Sequence, residues 1–206
     1  MASLTLKPSP MAAPKISVVI PVFNEEGIIR SALVDLAESL RNEPGGAEII
    51  VSANGCSDNT VSVAHQVRER YPAVRVLEHA EPNYGLALRR GIEAAQGTYI
   101  ICEEINLCDV DFHHRAIALL EADMADFVVG SKALADASDE RPLTRRVATR
   151  VVSTLLRIML GFEGTDTHGL KAFRRASVMP TLERCRVEYD LFARSEEHTS
   201  ELQSLL

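Results

Sequence analysis

Side chains that commonly bind metals crowd the stretch CEEINLCDVDFHH, which runs from Cys102 to His114. Carboxylate and amide oxygens are the ligands that Mg²⁺ and Mn²⁺ prefer, whereas a thiol and imidazoles would suit Zn²⁺. Zinc is the weaker interpretation, because adjacent histidines on a helix point about 100° apart. The alternative to any metal site is a solvated acidic loop.

Two pairs of oxygen donors in this stretch have a spacing that suits chelation, Glu104 with Asn106 and Asp109 with Asp111. Residues i and i+2 of an extended segment point the same way, so the members of either pair can converge on one cation. Asp109 is also well placed to cap a helix that begins near Phe112. Spacing alone leaves both pairs as candidates.

Short β-branched runs alternate along the chain with stretches whose apolar residues recur at helical spacing. This alternation is typical of parallel βαβ units, so the predicted fold class is α/β, with a mostly parallel sheet flanked by helices. Ligands of such sheets bind outside the carboxyl ends of the strands. Strands are predicted at 15–22, 47–52, 74–78, 98–102 and 126–131, and helices at 29–40, 59–71, 85–95, 112–121 and 143–160.

Three polar loops are expected to meet at that edge of the sheet, namely 24–25, 53–57 and 103–109. Each of them directly follows a predicted strand. Because the carboxyl ends of parallel strands share one edge, this is where a binding site is expected.

The composition excludes some classes of protein but does not identify a reaction. A chain of 206 residues is long enough for one sizeable domain, and its net charge of −7 argues against a nucleic-acid binder. No apolar run reaches the roughly 18 residues of a membrane-spanning helix, and the start lacks a secretory signal pattern. The four cysteines show no framework spacing and are interpreted as reduced thiols, which predicts a cytoplasmic protein.

The usual phosphate-binding signatures are missing, since no GxGxxG follows the first strand and no GxxxxGK[ST] occurs in the chain. An ordered set of short motifs instead resembles the family-2 glycosyltransferases of the GT-A fold, especially their polyprenyl-phosphate branch. Each motif is weak alone, but their order matches from residue 16 to about residue 193. The motifs are IPVFNEE at 20–26, ANGCSDNT at 53–60, NYGLALRRG at 83–91, EIN at 104–106, GSK at 130–132, RRVAT at 145–149 and DTHGLKAF at 166–173.

The resemblance implies transfer of a sugar, with inversion, from a nucleotide diphosphate sugar. It also implies which residues hold the nucleotide, namely Pro21, Phe23, Asn24, Glu25 and Asn54. The alternative for the first loop is that its asparagine and glutamate simply cap the following helix.

The resemblance also selects one of the two candidate metal pairs. The family places its DxD motif at a strand end, seven residues beyond the position of Gly97, which points to Glu104 and Asn106. Mg²⁺ or Mn²⁺ there would bridge the diphosphate and neutralise the charge that builds on the leaving group. Asparagine is neutral, so this site has one negative charge fewer than DxD, and Glu103 or Asp109 is a candidate to replace it.

In the polyprenyl-phosphate branch, a basic residue of the GSR segment and an R…S pair hold the acceptor phosphate. Lys132, Arg145 and Thr149 match those positions. Because Arg145 and Thr149 are four residues apart, they share a face of the predicted helix and can converge on one anion. The opposite, apolar side of that helix either packs on the core or makes peripheral contact with the inner face of a membrane.

Two other functions stay open on the sequence. A hydroxyl acceptor, such as a cell-surface glycan, would need a catalytic base, and Asp166 is the candidate. A phosphate acceptor is already ionised and needs none. The departures from the family pattern at Ala53, Asn54 and Asn106 also leave open a nucleotide-sugar-binding protein without turnover.

Both ends of the chain are expected to lie outside the glycosyltransferase domain, which is assigned to residues 15–193. Residues 1–14 are rich in proline, alanine and serine and are predicted to be disordered. The segment RSEEHTSELQS at 194–204 matches an in-frame translation of a common sequencing adapter, so 194–206 is interpreted as artefactual. The natural protein is therefore expected to continue past Ala193, and the domain to be incomplete.

Overall fold

The computed structural model describes residues 13–130 and 170–184, which form a six-stranded sheet with helices on both faces. The strands are β1 (Ile16–Val22), β2 (Ala47–Asn54), β3 (Val74–His79), β4 (Tyr99–Cys102), β5 (Phe127–Val129) and β6 (Lys171–Arg174). The helices are α1 (Ile29–Ser39), α2 (Thr60–Arg70), α3 (Tyr84–Ala94), α4 (Val110–Glu121) and α5 (Arg175–Arg184).

The strand order is β3-β2-β1-β4-β6-β5. β1 pairs in parallel with β2 and with β4, and β2 pairs in parallel with β3. The predicted α/β class with a mostly parallel sheet is therefore confirmed. The sequence did not predict β6, which runs antiparallel to both of its neighbours and separates β5 from β4.

All seven residues of β1 are buried, because helices cover both faces of the sheet at this strand. Ile16, Val18 and Ile20 pack with residues of α1, α2 and α4 in one core cluster. Val19 points the other way and packs with residues of α3 and α5. This alternation explains why the strand has no polar face in the sequence.

No helix within residues 13–130 and 170–184 combines the length and apolarity needed to cross a membrane. The predicted helix at 143–160 and the terminal segments 1–12 and 185–206 lie outside the described residues.

A buried carboxylate ties together the amino edge of the sheet. Glu48 Oε1 accepts hydrogen bonds from Ser17 Oγ at 2.6 Å and from the main-chain N–H of Gln96 at 2.7 Å. Glu48 Oε2 accepts from the Arg75 guanidinium at 2.6 Å. Gly97 N–H donates to Ser17 Oγ at 2.8 Å, and a Cβ at this glycine would lie 2.6 Å from Ser17 N. These contacts fix the point from which β4 starts.

Glu48→Ala should lower the free energy of unfolding by about 2–4 kcal/mol, because it leaves the hydroxyl of Ser17 without its acceptor and the guanidinium of Arg75 without its carboxylate partner. Denaturant unfolding of the parent and the variant measures the difference. Glu93→Ala is the control, since that carboxylate is exposed and pairs with Arg89 on the same helix. An equal loss in both variants would contradict the special role of Glu48.

Candidate functional site

The loop after β1 and the loop after β2 are tied together at the carboxyl edge of the sheet. Asn24 Oδ1 accepts from the main-chain N–H of Ser57 at 2.8 Å, and its Nδ2 donates to Ser57 Oγ at 3.2 Å. Glu25 N–H donates to Thr60 Oγ1 at 2.7 Å. Asn24 has a φ of 54°, a left-handed conformation that asparagine tolerates better than most residues.

The side chains of Asn24 and Glu25 do not cap α1, so that alternative is wrong. The N-cap residue of α1 is Ile28, and no side chain makes a capping hydrogen bond there. The side chain of Asn24 joins the two loops instead, so the conformation of the first loop depends on the second.

Pro21, Phe23 and Glu25, three of the residues expected to hold a nucleotide, differ in their surroundings. Pro21 lies in β1 and is buried, Phe23 is exposed, and Glu25 is half-buried. Burial, together with the negative charge of Asp58, raises the pKa of Glu25 above its usual value. Burial also acts on Asp58, but hydrogen bonds from Thr60 and Glu26 outweigh it and lower the pKa of that carboxyl.

Asn54 at the end of β2 faces the interior and is only 3% exposed. Its Oδ1 accepts from the main-chain N–H of Asn83 at 2.5 Å, and its Nδ2 is 3.5 Å from the carbonyl oxygen of Val22. Asn83 in turn caps α3 by accepting from Leu86 N–H at 3.0 Å. Asn54 therefore joins β1, β2 and the start of α3, and its predicted contact with a nucleotide stays a prediction.

A pocket of about 360 Å³ opens between the ends of β2 and β3 and the start of α2. Ala53 contributes a methyl group where the resembling family has a carboxylate. Gly55 has a φ of +65°, and a Cβ there would lie 2.5 Å from Pro82 N, so the loop requires glycine. The lining residues are Ala53, Gly55, Cys56, Val61, Glu78, His79 and Ala80.

His79 belongs to a hydrogen-bonded chain that the sequence did not predict. Arg90 can only donate, so its bond of 2.8 Å to His79 Nδ1 makes that nitrogen the acceptor. His79 Nε2–H then donates to Ser52 Oγ at 3.0 Å, and Ser52 Oγ–H donates to the carbonyl of Ala87 at 2.7 Å. Burial and the positive charge of Arg90 both lower the pKa of His79. The only signal in the sequence was its position at the end of a predicted strand.

The two predicted metal ligands lie in the turn that follows β4. Glu104 is half-buried, Asn106 is exposed, and Ile105 between them is buried in the core. The main-chain N–H of Leu107 closes the turn on the carbonyl of Glu104 at 3.0 Å. Magnesium is commonly held by one or two protein oxygens together with substrate phosphates and water, so this donor set fits a cation that also binds a diphosphate.

Glu103, a candidate for the missing negative charge of that site, faces the interior, and its compensating charge stays a prediction. Its carboxylate is fully buried, with Oε1 accepting from Asp109 N–H at 2.6 Å and Oε2 lying 2.9 Å from His113 Nε2. Asp109 is confirmed as a helix cap, since its Oδ1 accepts from Phe112 N–H at 2.9 Å.

The zinc interpretation gains no support. Burial, together with the negative charges of Glu103 and Asp35, raises the pKa of the Cys108 thiol to about 12. His113 is fully buried, whereas the side chain of His114 is 60% exposed and lies 3.5 Å from a carboxylate oxygen of Glu43. No group of three or more histidine, cysteine or acidic residues in the described part of the chain is arranged to hold a metal ion.

Four of the predicted site residues lie outside the described residues. These are the acceptor-phosphate residues Lys132, Arg145 and Thr149 and the candidate base Asp166. Their roles stay predictions.

Comparison with solved structures defines the class of fold. A mannosyltransferase from Pyrobaculum calidifontis, in complex with GDP-Man and Mn²⁺, matches with a TM-score of 0.58 at 18% identity, over 86% of this chain and 49% of that chain. The UDP complex of glucosyl-3-phosphoglycerate synthase from Mycobacterium tuberculosis matches with a TM-score of 0.56 at 24% identity, over 79% of this chain and 57% of that chain. The domain therefore has the GT-A fold.

Residues 17–180 match the model of glycosyl transferase family 2, and the chain belongs to this family. The glycosyltransferase AglD of Haloferax volcanii is 30% identical over 80% of this chain and 27% of its own length. The low-salt glycan biosynthesis hexosyltransferase Agl6 of the same organism is 26% identical over 79% of this chain and 39% of its own length. The chain thus spans less than half the length of these curated relatives.

The chain of hydrogen bonds through His79 predicts a neutral imidazole with its proton on Nε2 at pH 7. Its NMR signal, assigned as the one lost in His79→Gln, should titrate with a midpoint below the ordinary 6.5. Because the unfolded chain takes up this proton more readily, the stability of the parent relative to His79→Gln should fall as the pH drops below 6.5. A midpoint at or above 6.5 would contradict this assignment.

Proposed function

We propose that this domain transfers a sugar from a nucleotide diphosphate sugar to a polyprenyl phosphate, with Mg²⁺ or Mn²⁺ bound at the turn after β4. The observation that carries the proposal is that the loops after β2, β1 and β4, which are adjacent parallel strands, all lie at the carboxyl edge of the sheet. Family membership supports the use of a nucleotide sugar.

In this proposal the loop after β1 holds the nucleotide. The hydrogen bond between Asn24 and Ser57 holds the backbone of the loop. The half-buried Glu25 offers a carboxylate to a ribose hydroxyl or a base N–H. Phe23 is 38% exposed and provides an apolar surface beside it. Asn54 would act from inside, by fixing the end of β2 relative to the start of α3.

Glu104 and Asn106 would hold the cation through their side-chain oxygens. A divalent cation supplies charge neutralisation at the diphosphate as the bond to the sugar breaks. The protein's own contribution is to present two oxygen donors at the edge of the sheet while Ile105 anchors the turn in the core.

The acceptor phosphate is assigned to Lys132, Arg145 and Thr149, which would supply positive charge and a hydroxyl donor. A phosphate acceptor is ionised at neutral pH and attacks the anomeric carbon directly, so it needs no base. A polyprenyl acceptor also implies that the domain acts at the cytoplasmic, inner face of a membrane and contacts that membrane peripherally. The name of one curated relative, a hexosyltransferase of glycan biosynthesis, is compatible with this class of acceptor.

A panel of UDP- and GDP-sugars with Mn²⁺ and a short polyprenyl phosphate tests the proposal, with formation of the glycosylated lipid as the readout. Transfer to a glycan hydroxyl that Asp166→Asn abolishes, while donor binding persists, would favour the hydroxyl acceptor instead. Metal-dependent protection by UDP or GDP in thermal melts without any transfer would favour a binding protein. The methyl group of Ala53 in the pocket is the observation that motivates this last alternative.

Changing the charge of the turn should change its affinity for the cation. With UDP or GDP present, Glu104→Gln should weaken Mn²⁺ binding about tenfold or more, because it removes the charged oxygen donor. Asn106→Asp should strengthen binding severalfold, since it adds a second carboxylate. Titration followed by electron paramagnetic resonance of Mn²⁺ measures both changes.

Asp111→Asn is the matched control, because it also removes one negative charge from the same stretch but at an exposed position on the first turn of α4. Its Mn²⁺ affinity should stay within about twofold of the parent. Equal weakening by Asp111→Asn and Glu104→Gln would place the cation elsewhere.

A further inference from the structure

The pair formed by Glu103 and His113 is polar, fully buried and not used by any role assigned so far. Both side chains have an exposure of 0%, and their closest atoms are 2.9 Å apart. His113 Nδ1 has no hydrogen-bond partner in the part of the chain that the structure describes. An apolar side chain would avoid this unsatisfied nitrogen, so general packing does not account for a histidine at this position.

The contacts of Glu103 close the acidic turn into a ring. Its main-chain N–H donates to the carbonyl of Val19 in β1 at 3.0 Å, which anchors one end of the ring to the sheet. Its carboxylate accepts from Asp109 N–H at 2.6 Å, which brings the other end of the ring back to the same residue. His113 holds the second carboxylate oxygen from the first turns of α4.

Glu104 and Asn106 lie inside this ring. Within the turn itself, Leu107 N–H donates to Glu104 O at 3.0 Å, and Cys108 Sγ donates to Ile105 O at 3.4 Å. Both bonds are local to the turn, so its position on the sheet depends on how its two ends are held. A metal site, however, needs its donors held within about 0.5 Å of the productive geometry.

We propose that Glu103 and His113 are positioning residues, which hold the turn so that the oxygens of Glu104 and Asn106 converge on one divalent cation. His113 acts through Glu103: its Nε2 fixes the carboxylate, and the carboxylate fixes the backbone of Asp109. This inference rests on the proposed metal site.

Two amide variants at His113 test whether a donor at the place of Nε2 is needed, or only a polar side chain of similar size. In His113→Gln the side-chain amide can donate from about the place of Nε2, whereas in His113→Asn the donor is one methylene short of Glu103. Glu103→Asp is the second test, because it keeps the charge but shortens the reach of the carboxylate. His114→Asn is the control, since this neighbouring histidine is exposed and points away from the pair.

The measurements are Mn²⁺ affinity of the 206-residue chain with UDP and, in a parallel series, with GDP, together with hydrogen exchange in residues 103–109 and thermal melts. We expect His113→Asn and Glu103→Asp to weaken Mn²⁺ binding about tenfold and to speed amide exchange in the turn. His113→Gln and His114→Asn should stay within about threefold of the parent.

Parent-like Mn²⁺ affinity in His113→Asn and Glu103→Asp, even with a lower melting temperature, would overturn the positioning role but not the proposed metal site. Unfolding of both variants would assign the pair to the stability of the domain and overturn the inference as well. No Mn²⁺ binding by the parent with either nucleotide would instead overturn the proposed metal site, and the inference with it.

Discussion

Parallel pairing of β1 with both β2 and β4 is the constraint on which the rest of the structure depends. The carboxyl ends of paired parallel strands lie at the same edge of a sheet. The polar loops that follow β1, β2 and β4 are therefore neighbours, although they are far apart in the chain. Helices cover both faces of β1, all seven of its residues are buried, and five of them belong to the two core clusters. The site therefore rests on the most buried strand of the sheet.

Carboxylates stabilise both edges of this sheet in a similar way. Glu48 joins Ser17, Arg75 and Gln96 at the amino edge, where β4 begins. At the carboxyl edge, where β4 ends, the carboxylate of Glu103 binds the start of α4 and its main-chain N–H binds β1. A buried charge is costly unless its oxygens are satisfied, and in both places main-chain N–H groups and side-chain donors satisfy them. The short strand β4 is thus fixed at both of its ends.

The loops at the carboxyl edge combine fixed backbone with accessible side chains. The side-chain amide of Asn24 forms hydrogen bonds with the neighbouring loop, and the side-chain amide of Asn54 forms hydrogen bonds in the interior. Glu25, Glu104 and Asn106 keep part of their surface accessible. This division suits the proposed binding of a charged, flexible donor, because rigid residues lower the entropy lost when the ligand binds.

The sequence by itself determined the strands β1 to β5, the helices α1 to α4 and the family, because β-branched runs, helical spacing and ordered motifs are local properties of the chain. Only the tertiary structure decided that β6 lies between β4 and β5, since its partners are distant in sequence. It also decided which of two adjacent glutamates faces inward. Glu103 and Glu104 are chemically alike, and the position of His113 on α4 gives the first a buried partner. Orientation at a strand end depends on such packing, which no local pattern contains.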